Sequence, residues 1–393
     1  MAGFKDLANV WRNVREVDLR PIRDQALQEV KIALVGEPGS GRHTLAEQLR
    51  RDPSRPQTRT HTPVILLDLA SANQASEADL ILLVVRADQT HVEPHQSLAH
   101  LWSSAGKKVI VFLNQFETDA VAAELLEGET IWDAQRVFMG SVRDTGFLVK
   151  EFVPAVMELL PDHHLSLARH FPLFRLPVAH ALINETCFAN ATYALSTGLA
   201  ENVPALNIPL NVTDMVVLTK AQVFLVYRLG LALGFSTRWQ DYVAEFGSVI
   251  GGGFLWRQLA RQLVGLIPVW GVIPKVAVAY SGTFVVGHVV LRWYLTGRHL
   301  SPKQLAELYR QSFRQGLGIA RALLAKAPRP RLGKRKRHVE LPPTTTSPQT
   351  LELPMAEQVC PSCGKTSAAD AHFCQYCGQA LMPLSPPEVP QPS

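Results

Sequence analysis

Between residues 29 and 160, short and nearly unbroken apolar runs alternate with stretches whose apolar positions recur at helical spacing. The runs are VKIALV (30–35), VILLDL (64–69), DLILLVV (79–85), KVIVFL (108–113) and RVFMG (136–140). Rich in β-branched residues and leucine, with little polar alternation, they predict parallel strands buried on both faces. Helices between them make this a doubly wound, mostly parallel α/β domain. From 161 to 327 the apolar stretches lengthen and keep helical spacing, which predicts an all-α hydrophobic domain. Its last helix is marked by Ser301-Pro302 with Gln304 three residues on, then Leu305, Leu308, Tyr309, Phe313, Leu317, Leu323 and Leu324. Residues 1–28 form an N-terminal helical segment, with 4–17 reading as a short amphipathic helix. After 327 the periodicity stops. Twelve of the 27 prolines fall in the last 66 residues, so 328–356 reads as a basic, proline-rich linker, 357–383 as a small module and 384–393 as a disordered tail.

At 393 residues, 47% hydrophobic and 19% charged, the chain is too long for one core and too apolar to be disordered throughout. The net charge of +5 is local. Six basic residues lie between Arg329 and Arg337, which leaves 5 − 6 = −1 for the remainder. The N-terminal stretch has charges throughout and no apolar core, so no secretory signal is expected, and the sequons at Asn184, Asn190 and Asn211 read as chance matches. Four of the five cysteines form two CxxC pairs, which suits a metal site in a reducing compartment better than a disulfide framework.

The first apolar run leads into Gly36-Glu-Pro-Gly39-Ser40-Gly41-Arg42-His43-Thr44 and then a helix. In such a strand–glycine loop–helix setting, backbone N–H groups and the helix N-terminus can cradle a phosphate. The glycine spacing fits GxxxxGK[ST], but two chemical positions differ. Arg42 stands in place of lysine, and His43, a poor ligand for a hard ion, in place of the Mg²⁺-holding hydroxyl. Thr44 follows one residue later. A tight turn that binds nothing is the competing reading.

Downstream residues resemble, in order and spacing, the Ras-like, Era-like GTPases of bacteria. Asp68 sits where that family has its Mg²⁺-organising DxxG aspartate, with Ser71 at the glycine position and Ala72 next. Asn114-Gln115-Phe116-Glu117 stands where the family reads guanine with NKxD. Asn114 matches, Gln115 replaces lysine, and Glu117 keeps the carboxylate on a longer arm. Ser141-Val142 resembles the final SA motif, with Gly146 beyond it. The resemblance implies a P-loop G domain over 29–160 that binds GTP or GDP with Mg²⁺. Its nucleotide-binding residues would be Gly36, Gly39, Ser40, Gly41, Arg42, His43, Thr44, Asp68, Asn114, Glu117 and Ser141. Only thirteen residues (51–63) separate the first helix from the second strand, which leaves little of a first switch, although Thr58, Thr60 and Thr62 offer hydroxyls. Mg²⁺, a positioned water and charge stabilisation are all weakened by these departures, so hydrolysis is expected to be weak or absent. No catalytic residue is assigned.

Residues 276–291 carry no charge and are bracketed by Lys275 and Arg292. Sixteen residues fall short of a span, although flanking Lys and Arg can snorkel. A second uncharged stretch, 262–274, contains Pro268 and Pro274. The block from about 200 to 315 resembles the hydrophobic helical domain found after Era-like G domains. Its carrying residues are PALNIPL (204–210), TDMVVLTKAQVFLVYRLG (213–230), VIGGGF (249–254), LIPVWGVIPK (266–275) and SGTFVVG (281–287). That resemblance implies membrane association. A cytoplasmic G domain and thiolate site require an even number of crossings or none. A helical hairpin dipping into the membrane or a bundle buried in protein satisfies that, and one complete span does not. The expected location is the cytoplasmic face of the membrane, or the cytoplasm.

Cys360-x-x-Cys363 and Cys374-x-x-Cys377 are ten residues apart, each pair followed by glycine. Two such knuckles close a tetrahedral structural Zn²⁺ site, and the set resembles a bacterial zinc ribbon whose metal supplies the folding energy of a module too small for its own core. Cys187 reads as a small buried hydrophobe. The basic linker can attract anionic lipid headgroups, and no aromatic platform favours nucleic acid. Two readings follow. The first is a membrane-associated GTP-binding protein with little or no hydrolysis. The alternative is a non-catalytic scaffold whose ribbon recruits a protein partner to the membrane.

Overall fold

The computed structural model describes residues 18–89, 91–114, 132–201, 212–242, 272–298 and 300–326, together with 357–359, 361 and 366–368. Five strands form one sheet: β1 (Ile32–Val35), β4 (Ile65–Leu67), β5 (Leu80–Arg86), β6 (Val109–Asn114) and β7 (Arg136–Gly140). All are parallel and their order is β4-β1-β5-β6-β7. The chain is therefore an α/β protein with a parallel sheet; β1, β4 and β7 fall inside the apolar runs, and β5 and β6 each extend one residue beyond theirs, to Arg86 and Asn114.

The runs are unbroken because both faces of the sheet are covered. On one face, Ala33, Val35, Ile81, Leu83, Val85, Val109, Val111 and Leu113 pack with Ala99 and Trp102 of α3 (Glu93–Ser104). On the other, Phe112 and Phe138 meet Phe147 and Phe152 edge-on at 6.0–6.2 Å between centroids. Phe147 closes a helical turn (Thr145–Phe147), and Phe152 a π turn (Leu148–Phe152) that leads into α4 (Val153–Leu159). The α2 helix (Arg42–Leu49) follows β1, and α1 (Arg20–Leu27) precedes it.

A short antiparallel hairpin, β2 (Arg51–Asp52) with β3 (Arg55–Arg59), connects α2 to β4 and stands outside the main sheet. The polar segment 51–59 gave no strand signal. Its shape depends on partners distant in sequence.

The helical part contains α5 (His164–His170), α6 (Arg175–Glu201), α7 (Val212–Ala232), α8 (Val272–Thr296) and α9 (Pro302–Lys326). By spatial proximity the chain divides into two compact units, Met1–Phe188 with Pro209–Arg261 and Val286–His299, and Ala189–Ile208 with Gln262–Val285 and Leu300–Ser393. In the second unit, Asn190 of α6 donates to Thr283 Oγ1 of α8 at 2.7 Å, both side chains buried. Gly316 of α9 lies so close to α8 that a Cβ there would meet the Ala277 carbonyl at 2.9 Å. Small residues at these crossings let helix backbones approach. The reciprocal cap expected at α9 is present: Ser301 N–H donates to Gln304 Oε1 at 3.0 Å and Gln304 N–H to Ser301 Oγ at 3.3 Å.

Among the described residues α8 is the one helix long and apolar enough to cross a membrane, and half of its most apolar window is buried within the protein. At 25 residues it is longer than the charge-free stretch and takes in Lys275 and Arg292. Most of 262–274 lies outside the described residues.

Candidate functional site

Strand order reverses at β1, whose neighbours β4 and β5 follow it in sequence on opposite sides. In open parallel sheets the crevice at the carboxyl ends of the strands beside such a point is where ligands bind. The glycine loop occupies that position. Gly36 N–H donates to the Leu67 carbonyl at 3.2 Å, and a Cβ on Gly36 would stand 2.3 Å from the Val84 carbonyl oxygen, so only glycine fits between β4 and β5. Ser40 N–H donates to the Glu37 carbonyl at 3.1 Å, closing a turn. Gly39 and Gly41 have φ of +83° and +103°, a region L side chains rarely adopt. Gly41 starts α2, so Arg42, His43 and Thr44 form its first turn, where backbone N–H groups lack intrahelical acceptors.

Asn114, at the end of β6 and almost fully buried, fastens two loops together. Its Nδ2 donates to the Ser40 carbonyl at 2.8 Å, and its Oδ1 accepts from Val142 N–H at 3.0 Å. A Cβ on Gly41 would lie 2.3 Å from that Nδ2. Ser141 opens the next turn: its Oγ accepts from Arg143 N–H at 3.2 Å and its carbonyl from Asp144 N–H at 3.0 Å. The structure therefore brings Gly36–Thr44, Asn114 and Ser141 to one edge of the sheet. Asp68, just after β4, is exposed and accepts from the Ser71 N–H at 3.0 Å and the Ser71 hydroxyl at 2.6 Å. Those bonds, with the Arg42 charge, hold its carboxyl below the usual carboxylate range. Glu117 and Gln115 lie outside the described residues.

Arg42 turns back onto the protein. Its Nη1 donates to the carbonyls of Gly36 and Leu67, while its Nε is buried without a hydrogen-bond partner. This latches the loop to the end of β4. His43 is exposed. Of the three threonines, Thr60 and Thr62 both donate to the His170 carbonyl at the end of α5, Thr60 at 3.1 Å. Their hydroxyls are engaged away from the loop.

The hairpin is fastened in the same way. Buried Asp52 accepts from Ser54 N–H at 2.9 Å and faces buried Arg175, at the start of α6, at 3.7 Å. Arg55 donates to the Tyr294 carbonyl at 2.7 Å and to that of Leu295, at the end of α8. Arg169 donates to the carbonyls of Leu231 and Phe235 at 3.1 and 3.0 Å, at the end of α7. Two guanidiniums thus meet the negative ends of two helix dipoles. Burial pushes the basicity of Arg169 and Arg175 down.

One residue near the loop escapes sequence reading. His95 of α3 is fully buried, and neither ring nitrogen has a hydrogen-bond partner. Burial pushes its pKa down, against the pull of the Glu37 carboxylate in the glycine loop. Glu37 itself accepts from Gln89 Nε2 at 3.0 Å. The spacing Val92, His95, Ala99, Trp102 puts the imidazole on the sheet-facing side of α3, a signal the pattern carries.

Among the described residues no three His, Cys, Asp or Glu side chains gather as a metal site. Cys360, Cys363, Cys374 and Cys377 all lie outside the described residues. Strands β8 (Glu357–Val359) and β9 (Thr366–Ala368) pair antiparallel, and the segment joining them contains Cys360 and Cys363 in sequence. Cys187 is buried, which pushes its thiol far up, as expected of a packing residue. No protein-family model matches this chain, and no curated protein matches it.

Proposed function

We propose that this protein is a membrane-associated guanine-nucleotide-binding protein of the Era-like type with little or no hydrolysis. The observation that carries the reading is Asn114. The residue assigned by resemblance to the base-reading motif is bonded to the glycine loop at Ser40 and to the 141–142 turn at Val142 N–H. Segments 74 and 28 residues from it in sequence share one site through its amide.

In this reading the backbone N–H groups of Gly39 and Gly41–Thr44 and the positive end of α2 receive the phosphates. Arg42 exchanges the Gly36 and Leu67 carbonyls for phosphate oxygens and neutralises their charge. Asn114 holds the loop and the Ser141 turn in register on either side of the base. Mg²⁺ fits the residues present poorly. Asp68 offers one ionised carboxylate already engaged by Ser71, and His43 offers an imidazole where a hard ion needs oxygen. Without a well-held metal, hydrolysis loses its main source of charge stabilisation. The four cysteines suit Zn²⁺ as a tetrahedral thiolate set, and the antiparallel pairing of β8 and β9, between which Cys360 and Cys363 fall in sequence, supports a structural ribbon. That ribbon, in this reading, holds a protein partner at the cytoplasmic face of the membrane.

Isothermal titration of the full-length chain with GTP, GDP and ATP, with and without Mg²⁺, tests this. The expected result is binding of both guanine nucleotides, discrimination against ATP, and little dependence on Mg²⁺. Absence of binding at millimolar nucleotide supports the second reading, a non-catalytic scaffold. The Arg42 latch is the observation that favours it, because the loop's charge is satisfied by the protein's own carbonyls.

A further inference from the structure

We infer that the outward face of α9 is an electrostatic docking surface for an anionic phospholipid membrane. The inference rests on the membrane association proposed above and names the surface that makes the contact.

The argument starts from helical geometry. Leu305, Tyr309, Ser312, Gly316 and Ala320 are the buried residues of α9 and define its packed side. Lys303, Arg310, Arg314 and Arg321 are all exposed. Their spacings of seven, four and seven residues place them within about 40° of one line along the helix, on the side away from the packed residues. The line is about 27 Å long at the rise of an α-helix. One carboxylate interrupts it, Glu307, which pairs with Arg310. Among the described residues no other ion pair involves these four.

The charge of the whole chain points the same way. From Leu308 to Val339 there are ten Lys and Arg and no Asp or Glu. Without those ten, 29 Lys and Arg face 34 Asp and Glu. The molecule is acidic except along this tract, and the part of it in α9 is displayed as a straight row. A flat, negatively charged surface complements such a row. No aromatic side chain lies on the line to stack a base, which nucleic-acid binding surfaces supply. In the same unit, α9 packs through Gly316 against Ala277 of α8, and residues 276–285 of that helix carry no charge. Because the apolar side of α9 is already covered, its contact with lipid is electrostatic, without insertion. Such attraction decays within a Debye length and disappears in high salt.

The test is co-sedimentation of the full-length protein with phosphatidylcholine vesicles, with and without phosphatidylserine, at low and high salt. The wild-type protein should bind only vesicles containing phosphatidylserine, and high salt should release it. The triple variant Lys303→Gln, Arg314→Gln, Arg321→Gln should lose on the order of a hundredfold in partitioning, about fivefold per charge. Arg314→Lys with Arg321→Lys should keep it, and thermal unfolding of all variants should match the wild type. If the wild type binds and the triple variant binds equally, the membrane reading stands and this assignment of the surface falls. Equal binding to phosphatidylcholine alone means apolar insertion and overturns it too. No vesicle binding by the wild type overturns both. Tighter binding to duplex DNA or RNA, lost in the same triple variant, reassigns the row to nucleic acid.

Discussion

Asn114 concentrates more of the candidate site than any other side chain. It makes two hydrogen bonds in a buried place, so Asn114→Ala leaves the Ser40 carbonyl and the Val142 N–H unpaired. Each buried unpaired group costs about 1–3 kcal/mol, so a loss of roughly 3 kcal/mol is expected in chemical denaturation. In the proposed function, guanine-nucleotide affinity should fall with it. Nucleotide affinity unchanged in a folded Asn114→Ala protein would count against the assignment of the base site. His95 predicts a pH effect whose sign follows from burial. Its folded pKa lies below the unfolded value of about 6.5, so below that pH the unfolded chain takes up a proton that the folded protein resists. Stability is therefore present above about pH 6.5 and is lost as pH falls through the window below it. His170, lowered by burial and by the Arg169 charge, adds to the same slope. Denaturation midpoints measured on either side of pH 6.5 should show the loss, and His95→Phe should reduce it. An equal slope in that variant would show that His95 is not its source. The glycines were legible as a loop because their spacing is a backbone requirement. The inward turn of Arg42 was not, because it depends on the Leu67 carbonyl, 25 residues away.

At the level of elements, the five strands were readable because burial on both faces leaves no polar positions to blur the runs. The 51–59 hairpin had no such signal. Its shape comes from charged groups meeting partners far along the chain: Asp52 with Arg175, Arg55 with the end of α8, and Arg59 with Glu47 of α2. This segment fills the short interval in which a first switch was expected to be curtailed, and it is bonded to helices instead. Asp52→Ala removes the carboxylate facing a buried guanidinium, and breaking such a pair costs about 3–5 kcal/mol. Hydrogen exchange should then accelerate across 51–59 and at the first turn of α6. A variant as stable and as protected as the wild type would mean that the ion pair does not fasten the hairpin.

At the scale of the whole molecule, the zinc reading makes a prediction independent of the nucleotide. Full-length protein purified without chelator should hold one zinc ion per chain, measured by elemental analysis, and Cys363→Ser with Cys377→Ser should lose it. The unfolding of the α/β part should be unchanged, since a ribbon's metal stabilises the ribbon alone. A metal-free wild-type protein would remove the structural zinc from the account. The sequence by itself determined the class of the fold, the strands, the glycine loop, the α9 cap and the place of the charge. Each of these depends on residues near one another in the chain or on a repeat set by backbone geometry. Only the tertiary structure decided the inward turn of Arg42, the fastening of the hairpin and the unpartnered imidazole of His95. In each of these the outcome depends on which distant groups are brought within a few ångströms, and hydrogen bonds, ion pairs and burial all vary steeply over that distance.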